Sequence, residues 1–130
     1  MTSPESLAPD AALTALVQVL ERYRYRFSDE LQIQAGIAQA LEADAILFER
    51  EKIPCPTCRF DFWCPEPLLV IEAKVHGSYA SALRQVERYV QLPECRGVVI
   101  ASSRPWANTA TSQVLHGKPV VLARLRRQVF

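Results

Sequence analysis

Asp61, Glu72 and Lys74 are the residues of this chain whose types and spacing could do chemistry. Asp61 sits in Phe60-Asp-Phe-Trp-Cys64, and after ten further residues Glu72-Ala-Lys74 closes the apolar run Leu68-Leu-Val-Ile71. Two carboxylates and a lysine at the ends of adjacent apolar segments are costly to bury unless they pair or bind a metal. Mg²⁺ would satisfy both acids, because it takes a few carboxylate oxygens and completes its shell with water and phosphate. The lysine would then face a metal-bound water or a phosphate, which is the equipment of metal-assisted phosphodiester hydrolysis.

Side chains alternate along a strand, so Glu72 and Lys74 share one face, about 7 Å apart. Asp61 joins them if its segment is the antiparallel neighbour, which would set Asp61 beside Glu72. Glu30 adds a further acid. It falls in the first turn of a helix and shares a face with Gln34 and Ile37. A first-turn glutamate is also what the helix dipole favours, so Glu30 can be read either way. Gln85 and Tyr89 are four apart at the edge of another helical stripe.

The elements that must carry these residues are legible from periodicity. Asp10 is a fair N-cap for a helix to Tyr23, with Leu13, Leu16, Val17 and Leu20 as its stripe. Ser28 is the expected cap of a second helix to Glu42. Strands are expected over residues 45–53, 59–64 and 68–75, the last apolar enough to be buried on both faces. A helix from Tyr79 to Leu92 stops at Pro93, and residues 97–101 form a fourth strand. A short helix near Asn108–His116 should end at Gly117 as a C′ residue. A last strand covers residues 119–125, and residues 1–9 read as a loose arm. The order α-α-β-β-β-α-β-α-β gives an α/β fold, a mixed sheet flanked by helices.

Taken together these residues resemble the PD-(D/E)XK nuclease superfamily. Asp61 followed by Glu72-Ala73-Lys74 is similar to its D…(D/E)xK signature. Glu30 resembles the additional helix acid of its RecB-like, lambda-exonuclease-like and Holliday-junction-resolvase-like branches. Gln85-Val-Glu-Arg-Tyr89 resembles its QxxxY motif. The likeness spans roughly residues 28–102, and it departs from the pattern where Phe60, not proline, precedes Asp61.

The resemblance implies a restriction-endonuclease-like fold and a Mg²⁺-dependent deoxyribonuclease, with Mn²⁺ able to substitute. A phage or mobile-element recombination or repair enzyme, or a structure-selective endonuclease, fits the small size. In that reading Asp61, Glu72, the Ala73 carbonyl and Glu30 hold the metal. Lys74 orients or deprotonates water and meets the phosphate, Gln85 orients Lys74 or the phosphate, and Tyr89 buttresses Gln85. Tyr89, His76, Arg84, Arg88 and Lys52 are the expected nucleic-acid contacts.

Composition sets the bounds. The chain has 130 residues, 49% hydrophobic and 22% charged, which predicts one packed domain. No apolar run approaches a membrane span, and the start lacks the pattern of a secretory signal, so a cytoplasmic protein is expected. Net charge is only +1, so nucleic acid must be gripped by local patches. Arg22-Tyr-Arg-Tyr-Arg26 interleaves cations and rings, but it reads better as a helix end with tyrosines in the core and arginines in solvent. Arg50, Arg104 and the tail cations Arg124, Arg126 and Arg127 are further candidates. A homodimer would allow both strands to be cut.

Two rival readings stand beside the nuclease. One is a catalytically inactive member of the same fold that binds nucleic acid or supports an assembly. The other is a zinc-stabilised interaction domain built on Cys55-Pro-Thr-Cys58, Cys64 and Cys95. A hairpin tip with reduced thiols is the favoured reading of the CxxC, since no second half-site or nearby histidine completes it.

Overall fold

The computed structural model describes residues 9–26 and 28–128. The expected arm, as far as residue 8, lies outside them. Twelve elements follow in order: α1 (Pro9–Arg22), β1 (Arg24–Tyr25), α2 (Glu30–Ala43), β2 (Glu49–Cys55), β3 (Cys58–Cys64) and β4 (Leu69–Lys74). Then come α3 (Tyr79–Val90), β5 (Gly97–Ser102), α4 (Trp106–Thr109), β6 (Gln113–Leu115), β7 (Lys118–Arg124) and β8 (Arg126–Arg127).

Six strands form one mixed sheet in the order β2-β3-β4-β5-β7-β6. The parallel trio β4-β5-β7 is its centre, and antiparallel hairpins extend it on both sides. This central position is why β4 and β5 are almost wholly buried, and apolar except for Glu72, Lys74 and Ser102 towards their C-terminal ends: both of their faces are covered. On one side Leu69, Ile71, Ala73 and Val75 pack with α1 and α2, around Leu13, Leu20, Ile33, Ile37 and Leu41. On the other side Val70, Val98, Ile100 and Val120 pack under α3, against Ala82, Val86, Tyr89 and Val90. An α/β sandwich of helix, sheet and helix results.

Several expected boundaries moved for local reasons. Asp29, not Ser28, caps α2: its side chain accepts from the Gln32 N–H, and Glu30 is the first helical residue. Asp10 lies inside α1 instead of capping it. The strand expected from residue 45 starts at Glu49. Ala45 ends α2 at a φ of 57°, and the Ile46 N–H closes back on the Leu41 carbonyl, so these residues terminate a helix.

The helix expected near 108–116 is one turn only, and β6 follows it. His116 and Gly117 both have positive φ, 50° and 75°, which is the tight turn of the β6–β7 hairpin. Gly117 therefore turns a hairpin and does not end a helix. Besides β6, two more short strands were not expected: β1 and β8 pair in parallel, Arg24 with Arg126 and Tyr25 with Arg127.

Candidate active site

The site begins where two strands part. β3 and β4 pair through Phe62–Ile71, Trp63–Val70 and Cys64–Leu69. One more step in that register sets Asp61 opposite Glu72. The ladder stops there, and the Ala73 N–H donates to Asp61 Oδ2 at 2.9 Å. A side-chain carboxylate thus satisfies a buried backbone donor at the point of divergence.

Asp61 is aimed by a break in strand alternation. Phe62 joins the layer under α1 and α2, whereas Phe60 joins the layer under α3. Residues two apart on a regular strand share a face, so the pleat is interrupted between them. The neighbouring strand shows the same irregularity. Arg50 pairs with Phe62 and Lys52 with Phe60, which places Glu51 opposite Asp61, and Glu51 has a φ of 55°. Such a conformation costs a non-glycine residue about 1 kcal/mol or more. The register of the pair holds through this point and shifts only between Lys52 and Cys55, so the irregularity beside Asp61 is one of backbone conformation.

Glu72 and Lys74 face α3, and a chain of side chains connects them to it. Lys74 Nζ lies 3.4 Å from Glu72 Oε2. It also donates to the Gln85 carbonyl oxygen. The Gln85 amide donates to the Tyr89 hydroxyl at 2.8 Å, and that hydroxyl donates to the Arg59 carbonyl at 2.8 Å. The ammonium at one end can only donate and the carbonyl at the other can only accept, so the chain between them fixes which end of the Gln85 amide faces the lysine. Phe60 braces Tyr89 edge-on with ring centroids 5.0 Å apart.

The two carboxylates are buried and electrostatically opposed. Glu72 is 2% exposed and Asp61 8%. Burial first, then the Asp61 charge, push the Glu72 carboxyl up to about 8, against the pull of Lys74. Asp61 is raised as well, by burial first. The Ala73 N–H opposes that rise, and the charge of Glu30 adds to it. Glu72 Oε1 is buried without a hydrogen-bond partner, the one such side-chain atom among the described residues. A buried acceptor left unmade costs about 1–3 kcal/mol, more for a charged group.

The structure brings Asp61, Ala73, Glu72, Lys74, Gln85 and Tyr89 into one connected cluster. Ala73 enters it through its N–H. Glu30 stands exposed at the start of α2 and acts on Asp61 through its charge. Gln34, one turn further along, is buried and accepts from Arg50 at 3.3 Å. His76, Arg84 and Arg88 are exposed, the first just past β4 and the others on α3.

Two expected nucleic-acid contacts have other work. Tyr89 is 1% exposed, so it supports the cluster and offers no surface to a ligand. Lys52 Nζ lies over the Trp63 ring, 4.6 Å from its centroid. In the Arg22–Arg26 stretch, the Tyr25 hydroxyl is buried against the Leu20 carbonyl. Tyr23 and Arg22 both bond Asp44.

The sequence did not single out Ser102. It is fully buried, donates to the Lys74 carbonyl at 2.6 Å and accepts from the Arg104 N–H. It fixes the backbone of the lysine to the neighbouring strand. Its signal was present: a hydroxyl ending the apolar strand Gly97-Val-Val-Ile-Ala-Ser102.

The four thiols are free and divided. Cys55 and Cys58 pair across the β2–β3 hairpin, whereas Cys64 packs in the opposite layer and Cys95 donates to the Gly97 carbonyl. Among the described residues, no three His, Cys, Asp or Glu side chains assemble a metal cage. Asp61 and Glu72 offer two carboxylates, and the partnerless Glu72 Oε1 offers an acceptor with nothing to accept. That fits a hard cation that draws much of its shell from water or substrate, as Mg²⁺ does. It does not fit a fully protein-ligated zinc.

No helix among the described residues is long and apolar enough to cross a membrane. No family model, curated protein or solved structure matches the chain.

Proposed function

We propose that the protein is a metal-dependent nuclease of the PD-(D/E)XK kind, hydrolysing DNA phosphodiester bonds. The observation that carries this reading is Glu72 Oε1, a buried and partnerless carboxylate oxygen beside a second buried acid. Retaining it costs stability, and a bound cation removes the cost. The adjacent Lys74 turns a cation site into a site for phosphate chemistry.

Asp61 and Glu72 would hold the ion, with Glu30 adding negative charge at the rim. A divalent ion held there supplies Lewis acidity and positive charge toward a phosphate. Lys74 presents its ammonium to a phosphate oxygen and to the attacking water. Gln85 keeps that ammonium from swinging away, and Tyr89 keeps the Gln85 amide in the orientation that accepts from it. Ser102 holds the backbone under Lys74.

The test is incubation with linear, circular single-stranded and four-way-junction DNA in Mg²⁺, Mn²⁺ or EDTA. Cleavage should require one of the two ions and stop with EDTA. Lys74→Ala should lower it by at least the 10²–10⁴-fold that a positioned proton-transfer group contributes. Turnover in EDTA, or undiminished turnover by the variant, would sink the reading.

A further inference from the structure

A second feature lies outside the carboxylate cluster. The parallel ribbon β1·β8 packs beside α2 and leaves a cavity of about 380 Å³ between them. Arg24, Arg26, Gln32, Gln39 and Gln128 line it, with Gly36 in its wall, and no carboxylate does so among the described residues. The lining brings together three stretches of chain, near residues 24–26, 32–39 and 128. Arg126 is the register partner of Arg24 on the neighbouring strand, and it adds its charge beside the cavity without lining it. Arg24, Arg26 and Arg126 are all exposed.

The cleft is built, not incidental. Tyr25, on the opposite face of the ribbon from Arg24, is buried against α2. Its hydroxyl donates to the Leu20 carbonyl at 2.6 Å. Its ring lies where a side chain at position 36 would be: a Cβ on Gly36 would meet Tyr25 Cδ1 at 2.8 Å. Gly36 therefore sets how closely the ribbon approaches α2. The Gln128 N–H donates to the Tyr25 carbonyl at 2.8 Å and places the glutamine at the rim.

We infer that this cleft binds the phosphodiester backbone of a nucleic-acid strand. Guanidinium groups and side-chain amides with no carboxylate among them are what phosphate oxygens require. The net charge of the whole chain is only +1, so this local excess is not a general property of the surface. From Gln32 to Gln39 the helix rises about 10 Å, the axial length of roughly three nucleotides.

The cleft is distinct from the proposed active site. Gln32 and Gln39 lie about half a turn around α2 from Glu30 and Gln34. A strand held in the cleft thus reaches the carboxylates only by crossing the N-terminal end of α2. The choice of nucleic acid over another polyanion rests on the nuclease reading, while the anion chemistry of the cleft does not.

The experiment is fluorescence anisotropy with labelled oligothymidylate in EDTA, comparing wild type with the triple variant Arg24→Ala, Arg26→Ala, Arg126→Ala. Three lost phosphate contacts should reduce the salt slope of log affinity by about 2. Between about 50 and about 200 mM salt, wild type should then lose roughly fifteenfold more affinity than the variant. The three side chains are exposed, so the melting temperature should hold. The pair Gln32→Ala, Gln39→Ala keeps the charge and should weaken binding with the slope intact.

Equal affinity and slope for wild type and triple variant would overturn the inference. So would tighter binding to polyglutamate or free pyrophosphate than to the oligonucleotide. Wild type that binds through the cleft yet cuts no DNA with Mg²⁺ would remove the nuclease reading and leave the cleft standing. Cleavage by a triple variant that binds as wild type does would do the reverse.

Discussion

Glu72→Gln should make the metal-free protein more stable at neutral pH, although it deletes the acid on which the proposed chemistry depends. The Glu72 carboxyl is lifted from its ordinary 4.5 to about 8. Above 4.5 the unfolded chain ionises this group and the folded chain does not, so the folded state binds the extra proton. Stability must then fall as pH rises from about 4.5 to about 8. At pH 7 the deficit from this one group is about 3 kcal/mol, from 1.36 kcal/mol per pH unit over that interval. Glutamine has nearly the same shape and carries no charge, so it recovers much of that deficit. For a chain of this length the gain is a rise in melting temperature on the order of 10 °C.

The assay is thermal unfolding of both proteins in EDTA at several values between about pH 4.5 and 8. The advantage of the variant should be near zero at the acid end and widest at the alkaline end. With Mg²⁺ the order should close or reverse, because an ion that binds only the folded wild type stabilises it by mass action. A variant less stable than wild type across the whole range in EDTA would refute the argument. So would a difference independent of pH.

Glu30→Gln should raise the Mg²⁺ requirement for cleavage by roughly 10–100-fold, as loss of an outer-shell partner does, and leave apo stability equal or higher. An unchanged Mg²⁺ titration would reduce Glu30 to a residue favoured by the helix dipole. Tyr89→Phe removes the hydroxyl that joins Gln85 to the Arg59 carbonyl. It should cost about 1 kcal/mol in urea unfolding, and kcat should fall more than KM rises, since the lysine then loses its orientation. Cys55→Ser with Cys58→Ser should retain cleavage, because neither thiol touches the carboxylate cluster. Loss of both folding and bound zinc would show that the hairpin tip is a metal staple. Gly36→Ala should lower the melting temperature by several degrees, since the new methyl group meets the Tyr25 ring.

The site was more legible in the sequence than its surroundings. Apolar runs before Glu72 and through Gly97–Ala101 identify the central strands, because strands buried on both faces leave few polar positions. A short hairpin sets Asp61 beside Glu72 by register alone, and a spacing of four sets Gln85 over Tyr89. What periodicity cannot carry is a conformation that the local sequence does not favour. Glu51 at positive φ has no glycine to announce it, yet it belongs to the irregularity that turns Asp61 inward. His116-Gly117 marks either a helix end or a hairpin, and only the pairing of β6 with β7 decides between them. Two-residue strands such as β1 and β8 lie below any periodic signal. Lys52 gave no sign that Trp63 would claim its charge.

The split between Phe60 and Phe62 makes Asp61 answer to two cores at once. A substitution deep under α1 can shift Phe62, one under α3 can shift Phe60, and either displacement is delivered to the carboxylate between them. Distant apolar residues therefore have a mechanical route to the chemistry, and pairs of such substitutions in opposite layers should couple in activity while adding independently in stability. Selection for tighter packing in either layer would also be selection on the position of Asp61. Tuning the candidate site would not require any change to the residues that form it.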